Sequence, residues 1–382
     1  MRTARLLFLL LAFAVPRSLS AATFTITHFG TPPDAQVAID YAATIWGTIL
    51  ESDVPIKMSV SWSPLGAGSL GVTFPNGRKD FPNAPLAATW YATALANSIS
   101  GTELNPGEDD INVYLNSSTN WYLGTDGNTP AGQYDLVSVA MHEIGHGIGF
   151  VGLAKKVGAE GSFGLLLASD FAPLITTFPW PDQDTLPGIF DRYLKNQLDE
   201  GLTNAPNPST FLGTAFTSNQ IYWNGQIALE ANGDNSIRIY APSTFALGSS
   251  CVHLNEGSYP AGNINELMTP FSSSGDANHW PGPICIGMLR DIGWQMRPWV
   301  GIAEGPITAA QFAVYPNPAR DVISLSGNSP ISTIVVITDV SGRVVLTASD
   351  QLTLNVSSLA PGTYTLARIA HAVRTYASFI KE

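Results

Sequence analysis

The stretch around residues 137–148 constrains this chain more than any other. Val137, Met141, Ile144 and Ile148 recur at spacings of four, three and four, the stripe of a helix buried on one side. Asp135, Ser138, His142, His146 and Gly149 lie along the adjoining face, so the two imidazoles stand one turn apart and point the same way, beside the core. Glu143 sits one position round the helix. His142-Glu143-Ile144-Gly145-His146 is therefore a H-E-x-x-H pattern, in which two histidines grip Zn2+. Zinc lowers the pKa of its bound water, and the carboxylate of Glu143 can reach that water without ligating the metal. A catalytic zinc needs a third protein ligand and one open position. The remaining histidines are His28, His253, His279 and His371.

The rest of the chain sets the context. Its 382 residues predict two or three domains, and with 45% apolar and 13% charged residues a large core needs no membrane. A formal net charge of −12 argues against nucleic acid, whose phosphates call for clustered Lys and Arg. At the N-terminus Arg2 and Arg5 precede an apolar run over residues 6–15, Pro16 ends it, and Ser18, Ser20, Ala21 and Ala22 follow. This is the order of a secretory signal peptide over residues 1–22, and the run is too short to span a bilayer. Cys251 and Cys285 are the only cysteines. In an exported chain a lone pair reads as a disulfide, worth about 3–4 kcal/mol by loop closure, with two buried free thiols as the alternative.

Thr31-Pro32-Pro33-Asp34 looks like a capped helix start, followed by Ala38, Tyr41, Ile45 and Ile49 on one face. Ile56, Met58, Val60 and Trp62 alternate with polar residues, as do Ile111, Val113 and Leu115, and both segments read as half-buried strands. Helix, strand, strand, helix predicts an α+β domain over residues 23–300, a sheet packed on helices. Residues 153–250 are rich in Gly, Pro, Asn and Ser and carry no chemical motif; strand-like pieces at residues 221–223 and 237–240 mark them as an ordered insertion. A linker over residues 301–311 leads to short β-rich runs separated by turns, a small all-β sandwich over residues 312–382.

Gly149 follows His146 by three residues and lets the chain leave the helix. His-Glu-x-x-His-x-x-Gly resembles the start of the metzincin peptidase motif, whose third histidine would fall at Gly152. That departure sends the third ligand elsewhere. His253 lies in Cys251-Val252-His253-Leu254-Asn255-Glu256, and Asn265-Glu266-Leu267-Met268-Thr269-Pro270 follows. Together these resemble the leishmanolysin-like group of metzincins, in which a long insertion separates the helix from the third histidine, and a methionine turn lies beneath the zinc. The resemblance spans about residues 31–299. It implies a zincin/metzincin-like catalytic fold, His142, His146 and His253 as zinc ligands, Glu143 as general base and Met268 as the turn methionine. His279, in Ala277-Asn278-His279-Trp280, is the competing ligand. By the same analogy, the strand at residues 111–115 is expected to be the edge along which an extended substrate pairs. His28 and His371 are expected to be structural, and Asp109, Asp110 and Asp126 to be solvated rather than calcium-binding.

Near the C-terminus, Tyr315-Pro316-Asn317-Pro318, Asp339-Val340-Ser341-Gly342-Arg343 and Leu359-Ala360-Pro361-Gly362-Thr363-Tyr364 occur in order. They resemble the C-terminal sorting domain of the type IX secretion system of Bacteroidetes. The resemblance implies outer-membrane secretion machinery as a partner and a destination in the medium or on the cell surface. The expectation is a secreted zinc endopeptidase acting on protein or peptide. Two rivals are a surface adhesion or binding protein on an inactive zincin scaffold, and a zinc hydrolase of non-peptide bonds.

Overall fold

In a computed structural model, described for residues 20–66, 68–180, 184–297, 312–326, 333–339, 344–349, 351–370 and 373–382, the alternating segments form one sheet. The elements in order are β1 (Phe24–Phe29), α1 (Pro33–Ile49), β2 (Ile56–Ser63), β3 (Gly71–Pro75), β4 (Gly77–Lys79), β5 (Trp90–Ala92), α2 (Thr93–Ser100) and β6 (Ile111–Asn116). Short strands β7 (Trp121–Tyr122) and β8 (Tyr134–Asp135) lead into the motif helix α3 (Leu136–Gly147). The main sheet has the order β1-β2-β6-β3. β1, β2 and β6 are parallel, each joined to the next through a helix, and β3 alone runs antiparallel.

Ile56, Met58, Val60, Ile111, Val113 and Leu115 are buried in one core with the apolar faces of α1 and α3. Trp46 of α1 is fully buried and donates its indole Nε1–H to Met141 O of α3 at 2.9 Å, which pins the two helices together. The start of α1 differs from expectation. Pro32 occupies the cap position, no side chain caps the helix, and Thr31 Oγ1 is buried without a partner. Prolines in the first turn have no N–H to satisfy, so the helix starts without a cap. A second difference matters more: β6 is an interior strand, paired with β2 on one side and β3 on the other. Its backbone groups are spent on both neighbours. The sheet edge beside α3 is β3.

Residues 153–250 hold the hairpin of β9 (Ala154–Val157) and β10 (Glu160–Phe163), and the three-stranded sheet of β11 (Leu194–Lys195), β12 (Ile221–Trp223) and β13 (Ile237–Ile239). Helices α4 (Thr210–Ala215) and α5 (Gln226–Ala231) complete the insertion, and α6 (Gly282–Asp291) follows it. Phe163, Phe190, Phe216 and Trp223 join the same core as α3, so the insertion is part of the domain. Cys251 and Cys285 are not bridged; each is a buried free thiol in that core. Cys285 is held on α6, whereas Cys251 is fixed in a left-handed turn, its N–H bonded to Tyr240 O. Different elements aim the two sulfurs, and each fills space as a small apolar group.

In the C-terminal region the sheets β14 (Val314–Tyr315), β15 (Val322–Leu325) and β18 (Thr353–Asn355), and β17 (Val344–Ser349), β16 (Thr333–Thr338), β19 (Gly362–Ala370) and β20 (Val373–Lys381), enclose a core of their own. Ile323 and Leu354 from one sheet meet Ile337, Leu366 and Phe379 from the other, the packing of a sandwich. The expected signal peptide (but for its last residues), the linker at 301–311 and His371 lie outside the described residues.

Candidate metal centre

Asp135 caps α3: its Oδ1 accepts from Ser138 N and Ser138 Oγ, both at 2.7 Å. Val137, Met141, Ile144 and Ile148 are buried, which rolls His142 and His146 toward a cleft. The helix ends where Gly149 adopts φ +124°, and that turn returns the Phe150 carbonyl to His146.

Three imidazoles converge. Their Nε2 atoms lie 3.0 Å (His142–His146), 3.1 Å (His146–His253) and 3.2 Å (His142–His253) apart. Each Nδ1 faces a backbone carbonyl: Leu267 O for His142 at 2.6 Å, Phe150 O for His146 at 2.6 Å, and Ser249 O for His253 at 2.9 Å. A carbonyl only accepts, so each Nδ1 carries the proton and each Nε2 presents a lone pair. Burial depresses all three pKa values; His253, also beside His142, is lowered to about 3. Three neutral donors with no hydrogen between them repel one another unless a cation lies among them. A tetrahedral ion with bonds of about 2.0–2.1 Å holds ligand nitrogens about 3.3 Å apart, close to the observed edges. The residues therefore fit zinc. Among the described residues, these three form the one group of His, Cys, Asp or Glu placed to hold a metal.

His253 reaches the group through its backbone: His253 O accepts from Tyr240 N and Leu254 N donates to Met268 O, both at 2.8 Å. Met268 is fully buried beneath the helix. A Cβ on Gly145 would come within 2.7 Å of Met268 Sδ, so the glycine inside the motif makes room for the turn. Because Leu267 O holds His142, the turn orients this imidazole as well as packing under the helix. Gly152 lies against the Asp191 carboxylate and Val252, leaving no space for a side chain. His279 stands apart from the cluster; its Nε2 meets Asp135 Oδ1 at 2.8 Å and supports the helix cap. His28 pairs with Asp40. Asp110 is not solvated as expected: it is fully buried and accepts from Lys57 N and Asn97 Nδ2, whereas Asp126 is exposed and accepts from Tyr122 Oη and Asn128 N.

Glu143 is buried, and burial raises its pKa to about 7, opposed by the hydroxyl of Thr73, which donates to Oε2 at 2.7 Å. Gly71 passes so close that a Cβ there would lie 2.5 Å from Glu143 Oε1. Both residues belong to β3, which had no motif and was not recognised from sequence. Its one signal was the short β-rich run Gly71-Val72-Thr73-Phe74.

The centre opens into a cleft of about 1060 Å3 lined by β3, the start of α3 and residues 247–253 and 266–278. No Lys or Arg lines it among the described residues, whereas Glu266 and Asp276 do. Bonds from Asn116 N to Leu70 O and from Asn76 N to Asp110 O fix the β3–β6 ladder. Antiparallel alternation then turns the backbone N–H and C=O of Gly71 and Thr73 away from β6.

Residues 313–382 match the family described as the secretion system C-terminal sorting domain. The last part of the chain is thus a type IX secretion sorting domain, and the protein is exported by that system to the cell surface or the medium. Residues 94–171, which contain α2, β6 and α3, match a family described as SPBPB7E8-like. No curated protein matches the chain. Among solved structures it is similar to PorZ, a surface component of the type IX secretion system of Porphyromonas gingivalis, at 22% identity and a TM-score of 0.17. That match covers 19% of this chain and 11% of PorZ. In the described residues, no helix is long and apolar enough to cross a membrane.

Proposed function

We propose that the protein is an exported zinc-dependent endopeptidase with a metzincin-like catalytic domain of the leishmanolysin-like kind. The observation that carries this reading is the convergence of three Nδ1-tethered histidines beside a buried glutamate, at the open edge of a sheet. His142, His146 and His253 would hold the metal. Bound there, Zn2+ would supply a Lewis acid that polarises a carbonyl and makes water acidic near neutral pH.

Glu143 does the proton work. Thr73 holds Oε2 and fixes the plane of the carboxylate. Oε1 takes a proton from the attacking water, then returns it to the departing amine nitrogen. Without metal, burial lifts this carboxyl to about 7; a cation held by the three histidines would draw it back toward the charged form that a general base needs. The backbone groups of Gly71 and Thr73 turned away from β6 suit an extended peptide, which adds to a sheet edge through main-chain bonds; of these, Gly71 O already has a long contact, 3.4 Å from Ser69 Oγ, that a peptide N–H would share or displace. A simple ester has no such strand to offer. This favours peptide over non-peptide substrates.

The test is cleavage of unfolded casein by the purified protein and by Glu143→Ala, with zinc measured in both. The expected result is cleavage by the parent and a loss of about 10²–10⁴-fold in the variant at unchanged zinc. Bound zinc with no cleavage of casein, gelatin or simple esters by either protein would favour the binding-scaffold reading. Ester hydrolysis alone would favour the other rival.

A further inference from the structure

The cleft has an apolar end that the proton chemistry does not use. Trp90, Leu153, Leu166 and Trp180 form a buried cluster separate from the main core. Phe171, Phe178 and Leu247 pack on it, stay partly exposed and line the cleft. Phe171 meets Phe74 of β3 edge-on at 5.1 Å and stacks with Phe178 at 6.2 Å.

This wall is built to hold its shape. The turn at Ala168–Phe171 is fixed by Asp170, which accepts from Leu167 N and pairs with Lys155 at 2.6 Å. Farther on, Trp180 donates its indole N–H to Pro75 O at 2.7 Å. That bond takes an edge acceptor of β3, so a peptide can pair along Gly71 and Thr73 but stops at Pro75. The cleft ends at the aromatic wall.

We propose that Phe171, Phe178 and Leu247 form a specificity subsite for a large apolar or aromatic side chain on an extended peptide. The position follows from strand geometry. Glu143 touches Gly71 and Thr73, and each strand residue advances about 3.3 Å. Paired antiparallel to β3, the more stable ladder, the peptide brings its second or third residue before the cleaved bond to the wall. The proposal deepens the endopeptidase reading and rests on it for the meaning of that position. Among the described residues the lining holds no Lys or Arg, which agrees with an apolar occupant and gives an acidic side chain no cationic partner there.

The experiment uses ten-residue peptides of Ala, Gly and Ser with one Phe moved along the sequence, and matched peptides carrying Ala or Glu instead. Binding is measured to the full-length, zinc-loaded Glu143→Ala protein, and cleavage products of the wild type are identified by mass. The Phe peptides should bind about 10–100-fold tighter than their Ala partners, the gain expected for burying one aromatic side chain. The cleaved bond should move with the Phe, two or three residues beyond it. Phe178→Ala and Phe171→Ala should reduce the Phe preference to near unity, while Phe178→Leu keeps most of it, with folding checked by thermal unfolding. Equal binding of Phe and Ala peptides overturns the subsite, as does a preference that survives both alanine variants. Preferential binding without cleavage by the wild type keeps the subsite and overturns the peptidase reading instead.

Discussion

Gly71 and Glu143 depend on each other. A methyl group at residue 71 would meet the glutamate at Oε1, Cδ and Cγ within 2.9 Å, and the strand backbone has little room to retreat because β6 holds it. Gly71→Ala is expected to displace the carboxylate and lower kcat by about 10²-fold, as misplacement by roughly 1 Å does, while zinc content stays at the wild-type level. Loss of zinc in this variant would show that the strand supports the ligands rather than the base. The cysteines give a second residue-scale prediction. Both thiols are buried and their pKa values are raised by burial, so they are inert in the folded protein. Thiol titration should find none reactive in the native state and two after denaturation without reductant; zero after denaturation would restore the disulfide. His142, Glu143 and His146 were legible because their spacing is set by one helix. His253 needed a resemblance, since the fold brings it to the helix across more than a hundred residues. Thr73 and Gly71 were illegible because their roles depend on strand register, which no local pattern encodes.

Among elements, α3 carries most of the proposed site and is fixed at both ends. Asp135 caps its start and is itself held by His279 and Thr129. At its end, Trp294 donates its indole N–H to Ile148 O at 2.7 Å. Asp135→Ala is expected to cost about 1–2 kcal/mol in urea unfolding through the lost cap. A change below about 0.3 kcal/mol would mean that other contacts set the helix start. The strand alternation at residues 56–62 and 111–115 identified β2 and β6, because one buried face gives a period of two. Alternation does not say which strand is outermost. β6 was expected at the edge, yet β3 covers it. A five-residue strand ending in proline leaves too weak a pattern to announce that.

For the whole molecule, the proposed metal centre would link folding to metal binding through the histidines. In the metal-free protein the folded state keeps His253 neutral down to about pH 3, while an unfolded histidine takes up protons below about pH 6.5. This ring therefore takes stability away as pH drops from about 6.5 toward 3, while the buried carboxyls of Glu143 and Asp191, raised to about 7, return stability over part of the same range. The histidine part is isolated by comparing metal-free wild type with His253→Ala: the wild-type thermal midpoint should fall relative to the variant's as pH drops below about 6.5, and zinc restored at neutral pH should raise it in the wild type. A wild-type midpoint that rises relative to the variant's on acidification would contradict the buried, neutral state of this ring. The sorting domain was legible from its ordered turn motifs, which lie close together in sequence. The shared core of the insertion was not, because Phe163, Phe190 and Trp223 contact the motif helix's domain only after folding. The central claim is that His142, His146 and His253 form one metal centre and His279 stands outside it. Its most direct test is the metal content of the full-length protein and of four single alanine variants at these positions, measured after dialysis against trace zinc. The account predicts one zinc per chain in the wild type and in His279→Ala, and its loss in each of the other three variants. Zinc retained in His253→Ala, or lost in His279→Ala with the fold intact, would contradict it.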